Sequence, residues 1–152
     1  MEYIENNVEK IKNLDNGILE NIVEQSIRIK KYYVDIDPFE KGERAFLNLG
    51  HTYAHALESF FDYKAFTHGE AVAKGVIFDL ELALSRKKIN KEYLERAKNI
   101  FKLFDIDTNL ICLPGDKFIP LMRKDKKNSF NKIITILLDS KGNLSKTEIK
   151  ED

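Results

Sequence analysis

Residue types that bind metals and anions are concentrated in one stretch of the chain, residues 44–70, which holds all three histidines. Five of its polar residues recur at helical spacing. At about 100° of rotation per residue they would all lie within roughly 40° of the first one around a helix axis. These five are Arg44, Asn48, His51, His55 and Glu58. Because polar groups that face a protein interior cost stability unless they find partners, a ligand, metal or substrate explains the stripe better than folding alone. We therefore expect the functional site here.

Two of the histidines, His51 and His55, are one helical turn apart, a common geometry for two ligands of one metal ion. His68 follows a loop, lies at a predicted helix start and could swing towards this pair. A catalytic zinc site usually has three protein ligands and an open position. The candidates for the third ligand are His55, Glu58 and Glu70. The alternative for Glu70 is a capping box over residues 67–70, and for Glu58 it is a solvated helix face.

An anion could bind on the arginine side of the stripe. The guanidinium of Arg44 suits carboxylate or phosphate, although a surface ion pair with Glu40 or Glu43 is the alternative. The basic run from Arg123 to Lys127 could also hold an anion, or it could be an ordinary solvated helix end. The seven glycines form neither a GxGxxG nor a Walker pattern, so nothing in the chain indicates a nucleotide-binding fold.

Apolar periodicity predicts a helical domain with a small β appendage. The predicted helices cover about residues 3–14, 18–33, 44–61, 68–86, 90–104 and 116 to the basic run, with caps at Thr67, Asn90 and Asp116. Gly50 would lie inside the third helix, where glycine costs roughly 1 kcal/mol against alanine, so we expect another segment to pack closely on its backbone. Two strand-like segments, 132–138 and 144–149, flank the turn residues 139–143 and predict a β-hairpin.

Length and composition indicate an ordinary globular protein with one domain. The 152 residues are 43% hydrophobic and 33% charged, and 25 basic residues balance 25 acidic ones. Without net charge, no overall field would recruit nucleic acid or an acidic membrane surface. The single Cys112 excludes an internal disulfide and a CxxC site, as expected for a reducing cytoplasm. Neither a signal peptide nor an apolar run of the roughly 20 residues that span a bilayer is visible.

The order of the polar residues resembles that in 3-dehydroquinate synthase. The motif reads K-x6-D-x2-E-x-G-x-R-x2-L-N-x-G-H-T-x2-H-A-x-E from Lys30 to Glu58, continues as H-G-E-A-V-A-x-G over residues 68–75, and ends with D-K-K at residues 125–127. Weaker similarity extends over essentially the whole chain. One departure is Ala54, which stands where the family usually has glycine beside the second histidine.

The resemblance implies a mainly α, multi-helical domain, with residues 1–152 forming one metal- and substrate-binding unit. In this family a separate N-terminal α/β domain binds NAD, and that domain is absent from this chain. The family reaction is a phosphate-eliminating cyclisation, a lyase step of the shikimate pathway to the aromatic amino acids. It converts 3-deoxy-D-arabino-heptulosonate 7-phosphate to 3-dehydroquinate with the help of NAD and of zinc or cobalt.

Carried over position by position, the resemblance assigns two metal ligands and several substrate contacts. The metal ligands would be His51 and His68, with a third, glutamate ligand outside this chain. His55 and Glu40 would be catalytic residues that face the substrate. The substrate-binding residues would be Lys30, Arg44, Asn48 and one of the two lysines Lys126 and Lys127.

Several expectations follow about activity and partners. The isolated chain should be inactive, because it lacks the NAD-binding domain and the third metal ligand. The alternatives are a non-catalytic helical module that binds a metal or anion, and the equivalent domain of another sugar-phosphate cyclase. A phosphohydrolase is disfavoured because no HD dyad is present. We expect a cytoplasmic protein with a small sugar-phosphate substrate, no nucleic-acid or membrane partner, and a homodimer for the full-length enzyme.

Overall fold

A computed structural model describes residues 1–124 and 132–149. This part of the chain is helical and ends in a two-stranded antiparallel hairpin. The helices are α1 (Glu2–Glu5), α2 (Val8–Lys12), α3 (Asn16–Ile36), α4 (His51–Phe60), α5 (His68–Ser85), α6 (Lys91–Leu103) and α7 (Gly115–Arg123), with a 3₁₀ helix (Glu43–Asn48) between α3 and α4. The strands are β1 (Ile133–Leu138) and β2 (Leu144–Ile149). The predicted fold class, a multi-helical domain with a C-terminal β-hairpin, is confirmed.

Two apolar clusters hold the helices together. The first joins α4, α7 and the start of β1 and includes Tyr53, Leu57, Phe118, Met122 and Ile133. The second joins α5, α6 and the end of β1 and includes Ile77, Leu80, Leu94, Ala97 and Leu137. Both α5 and β1 contribute to the two clusters, since Ala71 of α5 belongs to the first and Ile77 to the second. These two elements therefore fix where α4 lies.

Most of the local signals in the sequence form the expected structure. The Thr67 side chain and Glu70 make the reciprocal capping box at the start of α5. The side chain of Asn90 accepts a hydrogen bond of 2.9 Å from the backbone N–H of Tyr93 and caps α6. In the hairpin, Ile133 pairs with Ile149 and Leu138 with Leu144, around the predicted turn.

Two predicted helix boundaries were wrong. The helix predicted over residues 3–14 is divided into α1 and α2, because the Asn7 side chain donates to the Tyr3 carbonyl and its backbone leaves the helical conformation. Asp116 does not cap α7. The helix begins at Gly115, and the carbonyl of Pro114 accepts from the first free backbone donors instead.

The predicted single helix over residues 44–61 was also wrong, and this changes the site. Arg44 and Asn48 lie in the 3₁₀ helix, whereas His51 is the first residue of α4. Between them Gly50 has a φ of +81°, a left-handed conformation that ends any continuous helix and favours glycine. The straight five-residue stripe therefore does not exist. The expectation of close packing on Gly50 is confirmed, because a Cβ there would lie 2.7 Å from the backbone nitrogen of Val76.

The long helix α3 has no buried residue, a feature that it shares only with the two short helices α1 and α2 among the described helices. Large apolar side chains on it, including Val23, Ile27 and Tyr32, are more than half exposed. Its C-terminal end contacts the 3₁₀ helix through the rings of Tyr33 and Phe46, whose centroids are 6.3 Å apart. Within the described ranges, no helix is long and apolar enough to cross a membrane.

Candidate functional site

The three histidines form one cluster where α4 and α5 begin. His51 opens α4, His55 lies one turn further along it, and His68 opens α5. The ring centroid of His51 is 5.5 Å from that of His55 and 5.4 Å from that of His68, and the His55 and His68 centroids are 6.2 Å apart. The structure therefore brings together three imidazoles that are up to seventeen positions apart in the sequence.

A contact between two glycines brings the two helix starts this close. A Cβ on Gly75 would lie 1.9 Å from the carbonyl oxygen of Gly50, a distance that no side chain can occupy. A Cβ on Gly50 would in turn lie 2.9 Å from the carbonyl oxygen of Val72. The backbone of α5 thus packs directly against the turn that precedes His51, and only glycine permits this at both positions.

Two of the imidazoles are oriented through the same ring atom. His51 Nδ1 lies 3.1 Å from the carbonyl oxygen of Leu49, and His68 Nδ1 lies 3.0 Å from Glu58 Oε1. A proton on Nδ1 makes each of these a hydrogen bond and leaves the lone pair of the ring on Nε2. Partners of this kind, a carbonyl or a carboxylate behind the imidazole, are typical of histidines that bind a metal.

The two candidate glutamates have different positions. Glu58 is buried, so the solvated-face alternative was wrong, and its carboxylate accepts from the half-exposed ring of His68. Glu70 makes the capping-box contacts to the backbone N–H and hydroxyl of Thr67, at 2.8 Å and 2.7 Å. The backbone hydrogen bond from Thr67, followed by the hydroxyl, lowers the pKa of the Glu70 carboxyl. Glu58 and Glu70 therefore each use a carboxylate oxygen to accept hydrogen bonds from other groups of the protein.

The histidine cluster suits a divalent metal as part of a ligand set. Its donor type, neutral imidazole nitrogen, is one that zinc and cobalt accept readily. Among residues 1–124 and 132–149, no group of three His, Cys, Asp or Glu residues is arranged to hold a metal ion. The described residues therefore offer imidazole nitrogens that could form part of a metal site, but not a complete set of three ligands.

The arginine side of the site is built around one carboxylate. Asp37 accepts the backbone N–H groups of Gly42 at 2.7 Å, Lys41 at 3.0 Å and Arg44 at 3.1 Å. Desolvation alone would raise the Asp37 pKa, but these three donors together outweigh it and lower the pKa. An ionised Asp37 therefore holds the loop between α3 and the 3₁₀ helix in place, which positions Glu40 and Arg44.

Two of the predicted site residues here contact each other, and a third contacts the backbone of the loop. Asn48 Nδ2 donates to Glu40 Oε1 at 2.8 Å, and the Arg44 guanidinium donates to the carbonyl of Pro38 at 2.8 Å. Lys30 lies on the exposed face of α3. The predicted contacts from Lys126 and Lys127 lie outside the described residues.

One buried acid was missed from the sequence. Asp79 of α5 is 1% exposed, and its two oxygens accept from Gly50 N–H at 2.7 Å and from the Thr135 hydroxyl at 2.6 Å. Burial raises the pKa of Asp79 to about 7, although the hydrogen bonds from Thr135 and Gly50 lower it in part. The available signal was a single aspartate in the apolar run V-I-F-D-L-E-L-A-L. Its partners are far away in the chain, so spacing could not identify them.

Comparison with solved structures defines the class of the fold. The chain superposes with a TM-score of 0.84 on ValA, a 2-epi-5-epi-valiolone synthase from Streptomyces hygroscopicus subsp. jinggangensis 5008 solved with NAD+ and Zn2+ bound. The match covers 99% of this chain and 42% of that one at 14% sequence identity, so it shows a shared fold. The helical domain thus has the fold of the matching part of that structure.

The family is shown by sequence. The family model described as 3-dehydroquinate synthase C-terminal matches residues 1–128, and the chain belongs to that family. It is 88% identical, over all 152 residues, to the bifunctional 3-dehydroquinate synthase/phosphatase of Fusobacterium nucleatum, of which it covers 23%. Against the 3-dehydroquinate synthases of Pseudoalteromonas translucida and Thermoanaerobacter pseudethanolicus it is 38% and 34% identical, over 89% and 99% of this chain. It spans 38% and 42% of those two relatives.

Proposed function

We propose that this chain is the metal- and substrate-binding part of a 3-dehydroquinate synthase, acting on 3-deoxy-D-arabino-heptulosonate 7-phosphate. The observation that carries the proposal is the convergence of His51 and His68 at two helix starts, each with its Nδ1 turned to a protein acceptor. The identity of 34–88% to synthases of this name supports the same substrate class. By contrast, the 14% identity to the valiolone synthase supports only the fold.

His51 and His68 would hold a zinc or cobalt ion through Nε2, with a third ligand from the rest of the polypeptide. Since the chain spans less than half of each relative described above, the NAD-binding domain would also lie in the remainder. The chemistry that a bound ion supplies is Lewis acidity towards a substrate hydroxyl, and the chemistry that NAD supplies is hydride transfer.

The remaining residues of the cluster would handle the substrate. The ring of His55 lies beside the other two, and His55 would take a proton from the bound substrate or give one to it. Arg44 and Asn48, set by the Asp37 loop, would bind carboxylate or phosphate oxygens. Glu40 accepts from Asn48 and so orients its amide for that contact.

Zinc titration of three alanine variants tests the ligand assignment in the complete polypeptide that carries this chain. We expect His51→Ala and His68→Ala each to abolish tight zinc binding, because each removes one of the two imidazole ligands. His55→Ala should keep zinc affinity and lose phosphate release. If His55→Ala lost zinc while His68→Ala kept it, the two histidines of α4 would be the ligand set and the proposal would be wrong.

A second experiment tests the division of labour between domains. The 152-residue chain alone should release no phosphate from the heptulosonate phosphate, because oxidation of the substrate needs a bound hydride acceptor. Phosphate release by this chain alone would contradict the assignment of NAD binding to another part of the protein.

A further inference from the structure

Asp79 lies on α5 three turns after His68, and the proposed function assigns it no role. Its side chain is 1% exposed, yet it makes no ion pair within the part of the chain that the structure describes. Its two oxygens instead accept from Gly50 N–H and from the hydroxyl of Thr135. A buried carboxyl costs stability unless its oxygens are satisfied, and here one partner is the backbone directly before His51.

Asp79 shares one face of α5 with the glycine that lets the two helices touch. His68, Val72, Gly75 and Asp79 follow one another at helical spacing and therefore lie along one side of α5. Gly75 leaves room for the carbonyl of Gly50. One turn further along α5, the carboxyl of Asp79 accepts a hydrogen bond from the backbone N–H of Gly50. Two contacts with α5 therefore fix the turn before His51: the Gly50 carbonyl packs against Gly75, and the Gly50 N–H donates to Asp79.

The hairpin secures the same turn from a third direction. Thr135 of β1 holds the other oxygen of Asp79, and the adjacent Ile134 carbonyl accepts from the Thr52 hydroxyl at 2.9 Å. Thr52 directly follows His51. Two hydrogen-bonded routes therefore connect β1 to the residues on either side of His51, and one of them passes through Asp79.

We propose that Asp79 is a positioning residue for the metal site, and that it sets the axial register of α5 against the first turn of α4. This proposal rests on the proposed function, since it takes His51 and His68 as the ligands. Sliding one helix by a single residue moves its side chains by about 1.5 Å along the axis. Metal–ligand distances tolerate only about 0.2 Å. A contact that fixes the register is therefore needed for two ligands that lie on separate helices.

Two substitutions at Asp79 separate positioning from simple core packing. Asparagine can still accept the Gly50 N–H through its amide oxygen and can donate to the Thr135 hydroxyl through its amide nitrogen. Leucine has the same branching at Cγ and is somewhat larger, but it neither accepts nor donates a hydrogen bond. The control is Leu94→Ala, which removes a buried side chain of the second apolar cluster from α6, a helix that carries neither the Gly50 turn nor its hydrogen-bond partner Asp79.

The measurement is zinc affinity of the complete polypeptide, obtained by competition with a chromophoric chelator, beside the free energy of unfolding. We expect Asp79→Leu to weaken zinc binding tenfold to a hundredfold, the usual range for residues behind a metal ligand. Asp79→Asn should stay within about threefold of the parent protein, as should Leu94→Ala despite its lower stability. The visible spectrum of bound Co²⁺ should change in Asp79→Leu alone.

The outcomes are distinct. Parent-like zinc affinity and an unchanged Co²⁺ spectrum in Asp79→Leu would overturn the proposal while leaving the proposed function intact. Failure of the parent protein to bind zinc would instead overturn the proposed function. If Asp79→Leu does not fold, Thr135→Val decides, because it removes only the support of the carboxyl. A severalfold loss of zinc affinity is then expected, and parent-like affinity would refute the positioning role.

Discussion

Replacing Gly75 by alanine tests whether the contact between α5 and the Gly50 turn fixes the spacing of the histidines. The new Cβ would lie 1.9 Å from the Gly50 carbonyl oxygen and 2.8 Å from its carbon, whereas ordinary contact begins at 3.4 Å. The two backbones would therefore have to separate by about 1.5 Å, since neither atom belongs to a side chain that can rotate away. Overpacking usually costs about 1–3 kcal/mol, and a clash between two backbones belongs at the upper end.

A matched control lies on the same helix. Gly69→Ala makes the same chemical change in the first turn of α5, where a Cβ would have no atom within 4 Å. Its stability should be unchanged or higher by up to about 1 kcal/mol, because alanine is the better helix former. At about 2–4 °C per kcal/mol, Gly75→Ala should melt roughly 6–12 °C below the parent protein.

The assay is thermal and urea unfolding of both variants, with zinc affinity measured in parallel in the complete polypeptide. A 1.5 Å shift exceeds the roughly 0.2 Å tolerance of a metal site, so Gly75→Ala should lose zinc affinity and Gly69→Ala should keep it. If Gly75→Ala were as stable as Gly69→Ala and bound zinc equally well, the reasoning from the glycine contact would be refuted.

Three further predictions concern buried polar groups. Burial raises the pKa of Asp79 from 3.8 to about 7, so the folded state retains a proton that the unfolded state releases. As the pH rises from about 4 to 7, the unfolding free energy of the parent protein should therefore fall relative to that of Asp79→Asn, by up to about 4 kcal/mol. Urea unfolding of both proteins across this pH range measures the difference, and an unfolding free energy with the same pH dependence in both would contradict the prediction. Glu58→Gln should weaken zinc binding about tenfold with little change in unfolding, because the charge behind His68 is removed; unchanged affinity would exclude that role. The buried ammonium of Lys74 forms an ion pair of 2.8 Å with the exposed carboxylate of Asp107. Lys74→Met should cost less unfolding free energy than Asp107→Ala, since only Asp107→Ala leaves the buried ammonium without its carboxylate. The reverse order of the two unfolding free energies would contradict this.

Features that depend on neighbouring residues could be predicted from the sequence. The capping box at Thr67 and Glu70 was predictable because both of its hydrogen bonds join residues three positions apart. The same holds for the hairpin turn, where Asp139 accepts from the backbone of Lys141 and Asn143. Because these interactions are local, the residue types and their spacing identify them.

Features that depend on another element could not be predicted. Helical spacing places Arg44 and His51 on one stripe, but the left-handed Gly50 between them forms because α5 packs on its backbone. Asp79 and its partner Thr135 are brought together only by the packing of β1 on α5. Periodicity therefore predicted that His51 and His55 lie side by side on one helix, and it gave the wrong geometry for the residues before Gly50.

His51 and His68 are each the first residue of a helix, and this sets the electrostatic character of their shared space. Both helices begin at this cluster, so each places a positive end, equivalent to about half an elementary charge, near the same imidazole rings. A bare divalent cation is disfavoured there by about 0.3–1 kcal/mol for each helix, while an anion is favoured by a similar amount. The carboxylate of Glu70 in the first turn of α5 offsets part of this field. The cluster therefore suits a cation and an anion together better than a cation alone. Under the proposed function, a bound phosphate or deprotonated hydroxyl would strengthen the binding of the proposed metal ion beside it.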